Sequence, residues 1–303
     1  MTAAPVAWLV TGARGQLGGD LRALLAGRPA DDVTALDRAG LDLTDEARLR
    51  AVLRDWLAGA RRRGLRPVLV NAAAYTAVDA AEADEETALL VNGRAPGWMA
   101  EELAGAGRLV HVSTDYVFDG AATEPYPVDA PLAPRSAYGR TKAAGERAVA
   151  AAGGDAVVVR TAWVYGAHGA NFVRTMAGRA AAGAPVSVVD DQVGSPTWSA
   201  GLAAGLVALG LRAEPVPPVL HRTDAGAVSW FGLARAVYEE LGADPVLVTP
   251  TTTAAFPRPA PRPAFSVLDG SSWDAAGLPA PQPWREALRA ALADPGLRAG
   301  RPI

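Results

Sequence analysis

The sequence predicts an α/β fold, a doubly wound parallel sheet with a smaller, mostly C-terminal α/β lobe. Three observations carry this. Short β-branched or apolar runs alternate with Ala/Leu/Arg-rich stretches of helical period through the first two-thirds of the chain. The first run, VAWLVTG, breaks into glycines spaced three apart and then into a helix pattern. Beyond about residue 166 the alternation gives way to Ala-rich helices joined by proline-rich pieces. A chain of 303 residues is long enough for a large core and a second lobe.

In chain order, residues 6–12 form a first strand and 16–27 a helix; 32–37 form a second strand. Residues 44–64 form a helix with Thr44 as N-cap and acids in its first turn. PVLVNAAA (67–74) is a third strand, 83–107 a helical region, and RLVHVSTDYVF (108–118) a fourth strand. An Ala-rich helix follows in SAYGRTKAAGERAVA (136–150), and AVVVRTAWVYG (156–166) is another strand. Strand–helix alternation of this kind means a parallel sheet with helices on both faces and right-handed connections. Helices are expected at 171–183, 199–211 and 230–242, with AEPVPPV and FPRPAPRPAF as connectors. The expected division is 1–166 for the sheet domain, with return segments near 186–200 and 219–240, and 167–303 mainly for the smaller domain.

Composition excludes several classes. There is no cysteine, so no disulfide framework or thiolate metal site exists. His111, His168 and His221 lie far apart without ligand spacing and read as ordinary side chains. A net charge of −3 gives no basis for nucleic-acid or membrane binding. No apolar run reaches the length of a membrane span, and the start reads as a strand rather than a signal peptide. A cytoplasmic protein is expected.

The segment TGARGQLG carries Gly12, Gly15 and Gly18 between a strand and a helix that opens with Gln16 and Leu17. A tight turn, close approach of backbone to a pyrophosphate and close helix packing all need residues without side chains, and the helix N-terminus then faces the negative charge. This context marks a Rossmann-type dinucleotide site. The second strand ends at Asp37, where an acid suits the ribose diol of NAD; Arg38 beside it suits the 2′-phosphate of NADP. Both NADH and NADPH are therefore expected cofactors. Asp42, followed by Leu43, reads as an adenine-edge contact or as a turn former. Ala72, Ala73 and Ala74 at the end of the third strand would let the cofactor lie against the backbone.

Ligands of open α/β sheets bind beyond the carboxyl ends of the strands, where Thr114, Asp115 and Tyr116 end the fourth strand in reach of Tyr138. Tyr138 and Lys142 are i and i+4 neighbours on a helix. A cation held beside a phenol draws the phenol's pKa down from about 10, so the pair could hand a proton to a carbonyl oxygen. Asp190 and Asp191 lack His or Cys partners and read as loop-ordering acids rather than a metal pair.

TGARGQLG, STDYVFDG and YGRTK together resemble an extended short-chain dehydrogenase/reductase. With LDLTD, NAAAYTAVDAAE, RTAWVYG, NFVRTM, DDQVGSPTW, GAVSWFGLARAV and RPAFSVLD, the chain resembles the dTDP-4-dehydrorhamnose reductase family from residue 6 to about 290. The resemblance implies NAD(P)H-dependent reduction of the C4 keto group of a dTDP-4-dehydro-6-deoxy-hexose, such as dTDP-4-dehydro-L-rhamnose to dTDP-L-rhamnose. Tyr138, Lys142 and Thr114 match the family's catalytic trio. Trp163 matches its sugar-contacting tryptophan, Asn171 lies in its NFVRTM motif, and Arg262 matches a stretch that approaches the nucleotide, making it a candidate diphosphate contact. Some members carry an intersubunit Mg2+ that an acid in the first helix serves; Asp20 is its loose counterpart here, and no ligand set supports the metal. The implied partner is a small-molecule dTDP-sugar, with the protein a monomer or homodimer. A nucleotide-sugar epimerase that retains NAD and a non-catalytic regulatory subunit of methionine adenosyltransferase share the fold and remain alternatives.

Overall fold

The computed structural model describes residues 5–298. Strands β1 (Val6–Thr11), β2 (Asp32–Leu36), β3 (Arg66–Asn71), β4 (Arg108–Thr114) and β5 (Asp155–Thr161) form one parallel sheet with the short strand Val219–His221. Its order is β2, β1, β3, β4, β5, then Val219–His221 at the edge. The chain leaves β1 on one side to make β2 and returns on the other to make β3. The winding therefore reverses between β1 and β3, where a crevice opens at the carboxyl ends of the strands.

β1 shows why consecutive strand residues can all be apolar. Val6, Trp8 and Val10 enter one core cluster, while Ala7 and Leu9 enter the other, and all are fully buried. The first face is covered by helices Gln16–Ala26 and Ser199–Leu211 through Leu17, Leu21, Leu202 and Leu206. The second is covered by Glu46–Arg62, Ala95–Leu103 and Ala137–Ala152 through Leu49, Leu53, Met99 and Val149.

A separate cluster forms the smaller lobe. Strands Val186–Val189 and Val248–Thr251 pair in parallel. Helices Phe172–Ala181, Trp230–Glu240 and Trp284–Leu292 contribute Val173, Met176, Leu233, Val237 and Leu288 to its core. Beyond residue 166 the chain thus serves both lobes, since Ser199–Leu211 and Val219–His221 pack on or extend the large sheet. Among the described residues no helix is long and apolar enough to cross a membrane.

Four local features differ from expectation. The cap of the second helix is Asp45, which accepts from Arg48 N at 2.9 Å, because Asp42 already takes the Thr44 amide and hydroxyl. β4 stops at Thr114, whose side chain accepts from Tyr116 N and starts a tight turn over Asp115–Val117. β5 stops at Thr161, and Trp163 then adopts φ 47 before a short strand, Val164–Tyr165.

The fourth is the helical region 83–107, which divides into Glu85–Leu89, a π-helical turn Leu90–Arg94, and Ala95–Leu103. Pro96 has no N–H for the Asn92 carbonyl, so the ladder widens there. That carbonyl instead faces helix Ala137–Ala152, where a Cβ on Gly145 would lie 2.1 Å from it. Gly145→Ala is expected to lower stability by about 1–3 kcal/mol through overpacking. Calorimetry would read this as a reduced Tm, and an unchanged Tm would mean that the two helices can separate freely.

Candidate active site

At the β1/β3 crevice the backbone itself forms the cradle. Gly12 has φ 70, and a Cβ on it would lie 2.8 Å from the Ala72 carbonyl carbon and from Ala73 Cα. A Cβ on Gly18 would lie 2.1 Å from the Gly12 carbonyl oxygen. Gly15 donates its amide to Gly12 O at 2.9 Å and leaves the helix Gln16–Ala26 without a side-chain cap. Free helix N–H groups thus point out of a turn with no side chains, which fits a pyrophosphate. Gln16 Oε1 is shielded from solvent and has no hydrogen-bond partner. Leu17 is buried beneath the turn, and Ala72, Ala73 and Ala74 line the opposite wall half-buried.

Farther out, Asp37 accepts from Gly40 N at 3.0 Å and pairs with Arg14 at 3.1 Å. Arg38 is 85% exposed and stands 3.8 Å from Asp42. Asp37 thus has Arg14 in contact and Arg38 next to it in the chain, and Arg14 is a cation that reading the sequence missed. Asp42 behaves as the turn former: the Thr44 amide and hydroxyl hold its carboxyl below the usual carboxylate range. Leu43 is buried beside it.

The next strand end and the following helix bring Thr114, Asp115, Tyr116, Tyr138 and Lys142 together. Ser136 caps helix Ala137–Ala152 by accepting from Gly139 N at 3.1 Å, which puts Tyr138 in its first turn. The Tyr138 ring meets the edge of Tyr116, centroids 5.5 Å apart. Thr114 donates its hydroxyl to Asp115 at 2.9 Å. Burial pushes the Asp115 carboxyl up to about 6. Asn92, on the π turn, fixes the loop after β3 by bonding both backbone groups of Tyr75, and donates to Thr141 at 3.2 Å.

The chain's own groups do not depress the Tyr138 phenol as expected. Burial pushes the phenol up to about 12, with the Thr114 hydroxyl pulling the other way. Lys142 does not offset this, because its amine donates to Val112 O at 2.6 Å and faces His111 Nε2 at 3.4 Å. Burial brings the Lys142 amine down to about 8, with Glu146 acting against it. His111, read as an ordinary side chain, is fully buried in contact with Lys142. One signal was available in the sequence: of 29 Lys and Arg residues, Lys142 is the only lysine. Arginine keeps its proton at any working pH, whereas lysine can be tuned to exchange one.

The remaining expected residues lie toward the smaller lobe. Trp163 stacks on Trp230 with centroids 3.6 Å apart and planes 7° apart, and a Cβ on Gly194 would lie 2.5 Å from its ring. Asn171 caps helix Phe172–Ala181 and donates to Gly166 O at 2.8 Å, so both ends of its amide are engaged. Arg262 pairs with Asp79 at 2.9 Å and borders a cleft lined also by Tyr116, Arg135 and Ser136. Asp191 accepts from Thr253 and Asp190 from Ser229, both ordering loops. Asp20 accepts from Ser199. Among the described residues no group of three or more His, Cys, Asp or Glu gathers to hold a metal.

The class that this fold and site define is the extended short-chain dehydrogenases/reductases, enzymes that work with NAD(P)H. Comparison with known proteins narrows it. Residues 6–296 match the model of the RmlD substrate binding domain, and the chain belongs to that dTDP-4-dehydrorhamnose reductase family. It is 50% identical over 95% of both chains to a probable dTDP-4,6-dihydroxy-2-methyloxan-3-one 4-ketoreductase of Streptomyces antibioticus. It is 47% identical to the dTDP-4-dehydrorhamnose reductase of Streptomyces griseus, over 98% of this chain and 96% of that one. The crystal structure of the Bacillus anthracis dTDP-4-dehydrorhamnose reductase, in complex with NADP, superposes with a TM-score of 0.88 at 31% identity, covering 95% of this chain and 99% of the other.

Arg14 and Arg38 suggest a test of cofactor choice. Activity with both NADH and NADPH is expected, and Arg38→Ala should weaken NADPH roughly tenfold or more while changing NADH far less, since charge-assisted bonds contribute about 1.5–3 kcal/mol. Arg14→Ala tests the second cation. Equal loss for both cofactors in steady-state KM would remove Arg38 from the 2′-phosphate.

Proposed function

We propose that this protein, acting in the cytoplasm, reduces the C4 keto group of a dTDP-4-dehydro-6-deoxy-hexose, with dTDP-4-dehydro-L-rhamnose giving dTDP-L-rhamnose. The observation that carries the reading is the placement of the chain's only lysine, buried one turn after Tyr138, beside the strand end that holds Thr114. The turn at Gly12, Gly15 and Gly18 would hold the dinucleotide, with Asp37, Arg14 and Arg38 around the adenosine ribose. When bound, the reduced nicotinamide supplies the hydride that C4 receives.

The chain's own residues handle the other half of the reaction. Tyr138 is protonated at neutral pH, as a donor has to be, and gives its proton to the carbonyl oxygen as the C4–H bond forms. Thr114 orients that oxygen from the strand end. Lys142 stabilises the tyrosinate and binds the nicotinamide ribose. Trp163 supplies a wall for the sugar. The protein is net negative, so the diphosphate relies on local cations, and Arg262 with Arg135 in the cleft beside Tyr116 supports that role.

The test is NADPH absorbance with dTDP-4-dehydro-rhamnose and with related dTDP-4-keto sugars, followed by NMR of the product. Oxidation with formation of a C4 hydroxyl is expected. Product without oxidation would indicate an epimerase, and no reaction a binding subunit. Tyr138→Phe should fold normally, bind cofactor and lose about 10²–10⁴-fold in kcat; near-normal turnover would remove the proton-donor role.

Arg262→Ala should raise KM for the dTDP-sugar by roughly ten- to a hundredfold, the loss of a charge-assisted contact, with cofactor affinity unchanged. An unchanged KM in the folded variant would move the diphosphate elsewhere.

A further inference from the structure

Four fully buried polar side chains run in line beneath the cradle. Thr11, at the end of β1, donates to Asn71 Oδ1 at 2.7 Å; the Ala73 amide donates to the same oxygen at 3.3 Å. Two donors on Oδ1 fix the Asn71 amide, so its NH2 group faces His111 Nδ1 at 3.0 Å. That nitrogen must accept. Burial, with Lys142 next, keeps the His111 ring neutral by driving its pKa well below the ordinary value. A neutral ring with a bare Nδ1 carries its proton on Nε2. Nε2 is the nitrogen that meets the Lys142 amine, at 3.4 Å. An N–H facing an ammonium is a clash of two donors, whereas an N–H facing an uncharged amine meets its lone pair.

We propose that His111, fixed as the Nε2–H tautomer by Asn71 and Thr11, is a positioning residue that offers Lys142 a donor instead of an acceptor and so tips the lysine toward its uncharged form in the cofactor-free protein. The other titratable groups around the amine are Tyr138 and Glu146 on its own helix. Glu146 is already engaged by Arg160 of β5 at 2.7 Å and by Ser113 of β4 at 2.5 Å. No acceptor other than Val112 O is bonded to the amine among the described residues. Burial alone would act on any lysine at this position; the oriented ring adds a directional element.

A consequence follows for cofactor binding. Ribose hydroxyl oxygens accept from an ammonium, so a bound cofactor favours the charged lysine and raises its pKa above the free value of about 8. Binding then takes up one proton from solvent between those two values. Affinity is full below pH 8 and falls by about tenfold per pH unit above it, until the pKa of the complex is reached.

The inference rests on Lys142 being the amine of the proposed reaction, yet it can be read without turnover. Because the chain has one lysine, side-chain 15N labelling of lysine gives a single ε-amine signal that needs no assignment. Its titration in the cofactor-free protein should have a midpoint near 8. 15N-histidine spectra of the same protein should show His111 with a bare Nδ1 and a protonated Nε2. His111→Phe keeps the ring volume and burial but removes the N–H, and the lysine midpoint should rise by roughly half a pH unit or more. A His111 proton on Nδ1, or a lysine midpoint unmoved in His111→Phe, would overturn the proposal. The histidine spectrum decides it even if the variant does not fold. If both signals behave as expected but no keto sugar is reduced, the proposed reaction fails and the proton arrangement stands.

Discussion

Parallel pairing of β1, β3 and β4 gathers three strand ends at one edge, and there the backbone of Gly12 comes so near Ala72 and Ala73 that no side chain fits between them. The rest of the site depends on this contact. It draws the turn after β1 into register with the loop after β3, which Asn92 then holds through both backbone groups of Tyr75. Asn92 lies on the π turn of the helix behind it. The carbonyl released by that turn packs on Gly145, and Gly145 belongs to the helix carrying Tyr138 and Lys142. One run of close contacts thus links the glycine turn after β1 to Tyr138 and Lys142.

Two buried cations, Lys142 on that helix and Arg160 on β5 facing it, are treated differently. Arg160 is neutralised by Glu146, donates to Val128 O and meets His221, whose pKa burial lowers to about 4. A buried charge with its partners in place is inert, and removing one partner would leave an uncompensated ion. Among the described residues Lys142 has no carboxylate bonded to it and one carbonyl acceptor. Burial of an incompletely paired amine lowers its proton affinity, which turns a permanent charge into one that can respond. Arg160 is thus held as a permanent ion, whereas Lys142 is left able to titrate.

On the substrate side the lobes meet through strained or paired groups. Trp163 holds a backbone conformation that costs of order 1–3 kcal/mol, and the Trp230 ring with the side-chain-free Gly194 keeps it there. Arg262 is tied to Asp79, which also accepts from Ala260 N. Asp79 thereby ties the C-terminal segment to the sheet domain through both a side chain and a backbone amide.

The sequence alone determined the sheet, the glycine turn, the i,i+4 spacing of Tyr138 and Lys142 on one helix and the family, because these rest on local period and fixed spacing. A strand–glycine–helix junction and an i,i+4 pair are geometry set by neighbours in the chain. Tertiary structure decided what surrounds them. Arg14 joins Asp37 only because the β1 and β2 ends are adjacent; His111 reaches Lys142 only because β4 lies under that helix; Ser199–Leu211 packs on the sheet because its apolar residues fit Leu17 and Leu21. The protonation of the pair belongs to the same class. Spacing placed a cation near a phenol, but burial and the partners brought from β4 set the charge each group carries, and those partners lie far outside the helix turn that sets the spacing.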